Sequence, residues 1–175
     1  FNNRFGVDLS LYDKQSSDLI IDLNLDPSTG YQNTTINAAE ISNRGIELGL
    51  DLAVIQTSNL RVALNANYTR NVSNVEKLAD GIDQLVFAGY SNLGNFAIKD
   101  QPYGVIQGEV IARDANGDRI VQSNGTYLTA PDLGILGDPN ARYVMNYGLN
   151  VNFKGIALNA LMTYSDGGVI YSTKI

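Results

Sequence analysis

Seven consecutive residues have side-chain types and spacing suited to holding a cation. Arg113-Asp114-Ala115-Asn116-Gly117-Asp118-Arg119 sets oxygens at Asp114, Asn116 and Asp118, the alternation that Ca²⁺ prefers. The pattern then departs, because Arg119 stands where such a loop needs glycine and no Glu closes it. An Asn-Gly hairpin tip with solvated flanks is the plainer reading. Asp80 with Asp83, and Asp8 with Asp51, are carboxylate pairs of the kind acid–base chemistry uses at a set separation. Nothing in the sequence sets that separation, and solvated charges are the commoner case. With no His and no Cys, disulfides, Cys/His zinc sites, cysteine nucleophiles and histidine-based triads are excluded. Gly30, Gly81 and Gly89 stand in isolation, so no phosphate-cradling loop is present. No catalytic, cofactor-binding or metal residue is assigned, and an enzyme is not expected.

Other residues bear on binding. Tyr90, Phe96 and Tyr103 fall in a long irregular stretch, where aromatics stack on sugars, pack on a partner or pack the loop itself. Asn-x-Ser/Thr sequons occur at Asn33, Asn67, Asn71 and Asn124, as chance allows in a chain with 20 Asn.

The elements that must position these residues are strands. The 175 residues carry 17 Gly, 10 Tyr and no Trp. Asn and Gly supply turns, and Tyr, Val, Ile and Thr favour strands, so the composition predicts an all-β protein. Hydrophobic residues make up 44%, enough to bury a core. The net charge of −6 disfavours a nucleic-acid partner. No apolar run is long enough for a transmembrane helix. The chain opens on Phe1 and closes at Ile175 shortly after a strand-like run, which predicts a piece of a longer protein.

Period-two alternation is the clearest signal. Phe5, Val7, Leu9 and Leu11 oppose Gly6, Asp8 and Ser10; Ile46, Leu48, Leu50 and Leu52 oppose Glu47, Gly49 and Asp51. Leu60–Tyr68, Tyr143–Phe153 and Ile156–Tyr164 alternate in the same way. Ile55–Asn59 is a short link and Lys154-Gly155 a two-residue turn. Ser28–Ala39 is a second polar connection, and about Arg70 to Arg142 is long and irregular. That stretch has room for strands near Gln84–Phe87 and Gly104–Ile111, with hairpin turns at Asn116-Gly117 and Asn124-Gly125.

Counting strands up and down puts the short turns at one end and the long connections at the other, the asymmetry of outer-membrane β-barrels. A soluble β-sandwich also alternates faces, so a secreted β-rich binding or adhesion module is the alternative. Two details favour the barrel. The apolar faces carry no charge, and aromatics close them: Phe5 and Phe153 at one end, Tyr68, Tyr143 and Tyr164 at the other. Tyr143 to Phe153 gives roughly 33 Å of strand, or about 23 Å of height at a 45° tilt, close to the apolar band of such barrels. Asp8, Glu47, Asp51, Arg61 and the many Asn would then line a lumen. So few strands cannot close a barrel, and open edges are not tolerated in lipid.

At this point the residues resemble a known family. Phe1-Asn2-Asn3-Arg4-Phe5, Tyr12-Asp13-Lys14 and Asp18-Leu19-Ile20 are similar to a stretch of the SusC/RagA-type TonB-dependent outer-membrane transporters. So are Asn37–Leu48, Tyr68-Thr69-Arg70-Asn71, Asn74-Val75, Leu78-Ala79-Asp80-Gly81, Pro102–Gly108, Leu136–Asn140, Tyr147-Gly148-Leu149, Phe153–Leu158 and Gly167–Tyr171, in the family's order. The resemblance implies a partial antiparallel transmembrane β-barrel, a late slice of a barrel of about 22 strands. It implies import of oligosaccharides or peptides across the outer membrane of a Gram-negative cell, a SusD-like surface lipoprotein as lid, and TonB acting on a plug. The plug and the TonB-contacting segment have no counterpart in these residues. On this reading residues 1–175 are part of one barrel domain embedded in outer-membrane lipid, with 70–142 a long extracellular insert.

Overall fold

The structure, a computed structural model, describes residues 4–24 and 33–172, with backbone alone for residues 21–24 and 33–38. Phe1-Asn2-Asn3, Gly30 and the connection through residue 32 lie outside the described residues, as does the Asn33 side chain.

All described regular structure is β. Five strands form one sheet, in the order β1 (Phe5–Asn24), β2 (Asn33–Gln56), β3 (Leu60–Leu78), β8 (Ala141–Phe153) and β9 (Ile156–Gly167). These contain the five segments predicted from alternation. A second sheet runs β4 (Gln84–Tyr90), β5 (Leu93–Ile98), β6 (Val105–Gly108) and β7 (Gly134–Gly137). It holds the strands expected near Gln84–Phe87 and Gly104–Ile111. The fold is thus all-β with open antiparallel sheets, as expected of a barrel slice.

Two boundaries differ from expectation. Residues 33–39 belong to β2 rather than to a polar connection, and β3 continues from Arg70 to Leu78. Beyond Arg70 the apolar residues Val72, Val75 and Leu78 are spaced by three, so the alternation that marks a strand disappears there.

The register matches face to face. On β3 and β8, Leu60 pairs with Phe153, Val62 with Val151 and Leu64 with Leu149, while Arg61 faces Asn152 and Asn67 faces Asn146. On β8 and β9, Val151 pairs with Leu158 and Tyr147 with Met162, while Asn150 faces Asn159. A one-residue slip would mix the two sets, so the pattern fixes the pairing. Lys154 and Gly155 both have positive φ, 47° and 88°, the mark of the twist-matched two-residue hairpin. Thr57 N–H donates to Leu60 O at 2.8 Å and closes the β2–β3 turn.

The chain forms two compact units. The first gathers residues 1–14, 43–73 and 141–167; the second gathers 15–42, 74–140 and 168–175. Among the described residues, every buried apolar side chain lies in the second. Ala39, Val75, Leu78, Leu85 and Ala97 form its core, with Leu19, Ile82 and Tyr103 packed against it. The first unit is a sheet whose apolar face has no such cover.

Candidate functional site

The feature to explain is that open apolar face. In a sandwich it would be packed against a second sheet and buried. Instead Phe5 is 55% exposed, Leu9 57%, Leu158 58% and Met162 60%. At one end of the face three tyrosine rings form a row across β3, β8 and β9. Tyr143 lies 5.7 Å from Tyr68 and 6.2 Å from Tyr164, centroid to centroid. At the other end Lys154 Nζ stands 5.5 Å from the Phe153 ring centre. The arrangement is an apolar band closed by aromatics.

The opposite face is polar and internally bonded. Tyr12 Oη donates to Asn71 Oδ1 at 3.0 Å, and Asn71 Nδ2 donates to Asn43 Oδ1 at 3.2 Å. Thr163 Oγ1 donates to Asn146 Oδ1 at 2.8 Å. Glycines let side chains lie flat across this face: Tyr12 covers Gly45 and Asn65 covers Gly148. Asp8, Ser10, Glu47, Asn67 and Asn146 line an open hollow of about 380 Å³. This face can hydrogen-bond a polar neighbour along its length, and among the described residues no group of three or more His, Cys, Asp or Glu gathers to hold a metal ion.

Each residue weighed for chemistry now has a place. Asp8 lies across from Gly49, and Asp51 across from Gly6, so the register does not pair the two carboxylates with each other. Asp80 and Asp83 are exposed and flank Gly81 in a turn where Ile82 N–H donates to Ala79 O. Asp114 Oδ1 accepts from the backbone N–H of Asn116 and of Asp118, both at 2.9 Å. That is an Asx turn, the local use of an Asp side chain that favours tight turns. Gly117 N–H donates to Asp114 O and Gly117 has φ 89°, a three-residue hairpin loop with glycine at its left-handed position. Gln122–Thr126 repeats it, with Gly125 at φ 83° and the Asn124 side chain accepting from Thr126. Asn67 and Asn71 lie within β3, and Asn124 at this second tip.

Of the three aromatics, only Tyr90 is free-standing in the way expected of a stacking platform, 71% exposed at the β4–β5 turn. Phe96 is a core residue, 2% exposed. Tyr103 stacks on Phe87, with centroids 4.7 Å apart and planes 3° from parallel, and burial pushes its hydroxyl above the usual range.

One feature was not anticipated. Ile120 N–H donates to Ala112 O, Leu128 N–H to Ile120 O, and Ala112 N–H to Leu128 O. Three short segments thus close a ring of backbone bonds. The sequence does carry its signal: Ala112, Ile120 and Leu128 are eight residues apart, and so are Gly117 and Gly125.

Comparison with known proteins agrees with this architecture. No family model matches the chain. It is 21% identical over its whole length to TonB-dependent receptor P26 of Formosa agariphila, and 24% identical over 97% of its length to TonB-dependent receptor P3 of the same organism. It spans about a fifth of the length of each, 20% and 19%. Among solved structures, the RagAB peptide transporter superposes with a TM-score of 0.72 at 19% identity, covering 94% of this chain and 19% of that one. The RagAB peptide importer in its closed-closed state gives 0.71, with the same coverage. These relatives are named as receptors and transporters. In sequence and in fold, the chain's resemblance to SusC/RagA-type TonB-dependent transporters is borne out.

Proposed function

We propose that this chain is a segment of the barrel wall of an outer-membrane, TonB-dependent importer of oligosaccharides or peptides that works with a SusD-like surface lipoprotein. The observation that carries the reading is the exposed, charge-free apolar band across all five strands of the larger sheet, closed by the Tyr68–Tyr143–Tyr164 row. Lipid is the solvent for such a band, and aromatic girdles sit at its interfaces. The polar face would then look into the lumen. The edge strands β1 and β9 need neighbours, because unpaired backbone groups are not tolerated in lipid. Further strands of a longer protein supply them.

Residues 70–142 serve on this reading as the extracellular insert of a single barrel domain. The short turns at Thr57-Ser58-Asn59 and Lys154-Gly155 face the periplasm. The wall has no chemistry of its own: it encloses, and a plug outside these residues responds to TonB. Peptide import finds support in the RagAB neighbours, which are named a peptide transporter and a peptide importer.

The test uses the full-length parent, extracted from native membranes in mild detergent. Recovery in the outer-membrane fraction with a co-purifying lipoprotein supports the importer, and mass spectrometry of the complex identifies bound cargo. A parent found in the soluble fraction without detergent overturns it in favour of a secreted β-rich binding module.

A further inference from the structure

Each of the five strands of the larger sheet ends its apolar face on one charged residue. These are Asp13 on β1, Arg44 on β2, Arg70 on β3, Arg142 on β8 and Asp166 on β9. Alternation puts Asp13 on the face of Leu11, Arg44 on that of Ile46 and Arg70 on that of Tyr68. Asp166 pairs with Tyr143 and shares the face of Tyr164. Arg142 sits at a register shift, and its Nε lies 3.0 Å from Asp166 Oδ2. Arg44 Nε likewise lies 3.0 Å from Asp13 Oδ2. The rim is immediately beyond the tyrosine row. Its sign is unlike the rest of the chain: three Arg against two Asp, in a sequence of net charge −6.

We propose that this rim docks the phosphate-bearing head groups of anionic lipid. The inference rests on the barrel-wall reading and deepens it, by naming what the outside of the wall meets where its apolar band stops. Three observations carry it. By alternation Asp13, Arg44, Arg70 and Asp166 continue the lipid-side face, and on β3 and β9 the charge stands two residues beyond the tyrosine that marks the interface. The Arg44 and Arg142 side chains are 72% and 75% exposed despite their ion pairs, which leaves guanidinium N–H groups for a second acceptor, and Arg70 is exposed as well. Guanidinium matches phosphate in a two-pronged geometry that a lysine would not give. Asp13 and Asp166 hold the first and last arginines in place and temper their charge.

The experiment reconstitutes the detergent-purified full-length parent into nanodiscs of mixed phosphatidylcholine and phosphatidylglycerol. Native mass spectrometry then reads which lipid stays bound. Enrichment of phosphatidylglycerol is expected, with each of Arg44→Gln, Arg70→Gln and Arg142→Gln lowering it by about fivefold. Asp13→Asn and Asp166→Asn should raise it, because they release positive charge; a merely structural ion pair would not produce that opposite sign. Arg113→Gln, at the hairpin tip, should leave it unchanged. A parent that inserts but retains both lipids in their bulk ratio overturns the rim proposal and leaves the barrel reading standing. A parent that enters no bilayer overturns the barrel reading itself.

Discussion

The ring of Tyr12 lies over Gly45 so closely that a Cβ at position 45 would stand 2.2 Å from Tyr12 Cζ and 2.7 Å from the Arg70 carbonyl oxygen. The first contact could be relieved by moving a side chain, but the second is with backbone. Gly45→Ala should therefore cost about 1–3 kcal/mol, the scale of overpacking in a closed site. Tyr12→Phe removes only the bond to Asn71 and should cost about 1 kcal/mol. The check is the unfolding midpoint of the full-length parent, followed by loss of the heat-modifiable folded band on a gel. Equal, negligible effects would show that the ring does not lie over the glycine.

Asn65 and Gly148 make a second such pair, with a different remedy. A Cβ at 148 would meet the Asn65 side chain at 2.2–2.8 Å, and all three nearest atoms belong to that side chain. Gly148→Ala alone should destabilise by about 1 kcal/mol or more. Adding Asn65→Ala should recover much of that loss, giving a coupling energy of about 0.5–3 kcal/mol in a double-mutant cycle. Additive effects would refute the register that pairs these two residues.

The central residues of β8 separate the two faces by a single step. Leu149 is on the apolar face and Asn150 on the polar one, with Leu149 paired to Leu64 and Ala160. Leu149→Arg in the parent should cost about 2–4 kcal/mol in a bilayer, whereas Asn150→Arg should be nearly neutral if it points into water. In a water-soluble sheet with its apolar face open, Leu149→Arg would cost little. The midpoint of urea unfolding from phospholipid vesicles decides between them.

The larger sheet was legible because its requirement is written at period two. Phe5, Val7, Leu9 and Leu11 declare a face without any knowledge of the partner strand, and the face-to-face register follows from the pattern. Past Arg70 the spacing of Val72, Val75 and Leu78 no longer declares one. The core that Val75 and Leu78 join is built with Ala39, Leu85 and Ala97 from distant parts of the chain. Phe96 shows the same limit. Its type fits an exposed stacking platform as well as a core, and only the pairing with Val86 and Val105 buries it. The polar face was legible as polar but not as a network: Tyr12, Asn71 and Asn43 meet only once three strands are in register.

The hairpin tip at Asp114 offers the sharpest contrast between a turn and a cation loop. A carboxylate that already accepts two backbone N–H groups has a structural task that needs no metal, whereas a calcium site would gather Asp114, Asn116 and Asp118 around one ion. Asp114→Ala should loosen the tip by about 1 kcal/mol, the usual loss of a side-chain to backbone bond, and Asp114→Asn should retain most of it, because the amide oxygen can accept the same bonds. Gly117→Ala should cost about 1 kcal/mol through its φ of 89°. Hydrogen exchange of the amides of Asn116 and Asp118 in the parent reads all three changes locally. Added calcium should leave the wild-type exchange unaltered. Calcium-dependent protection of those amides, lost in both Asp114→Ala and Asp114→Asn, would establish the cation loop instead.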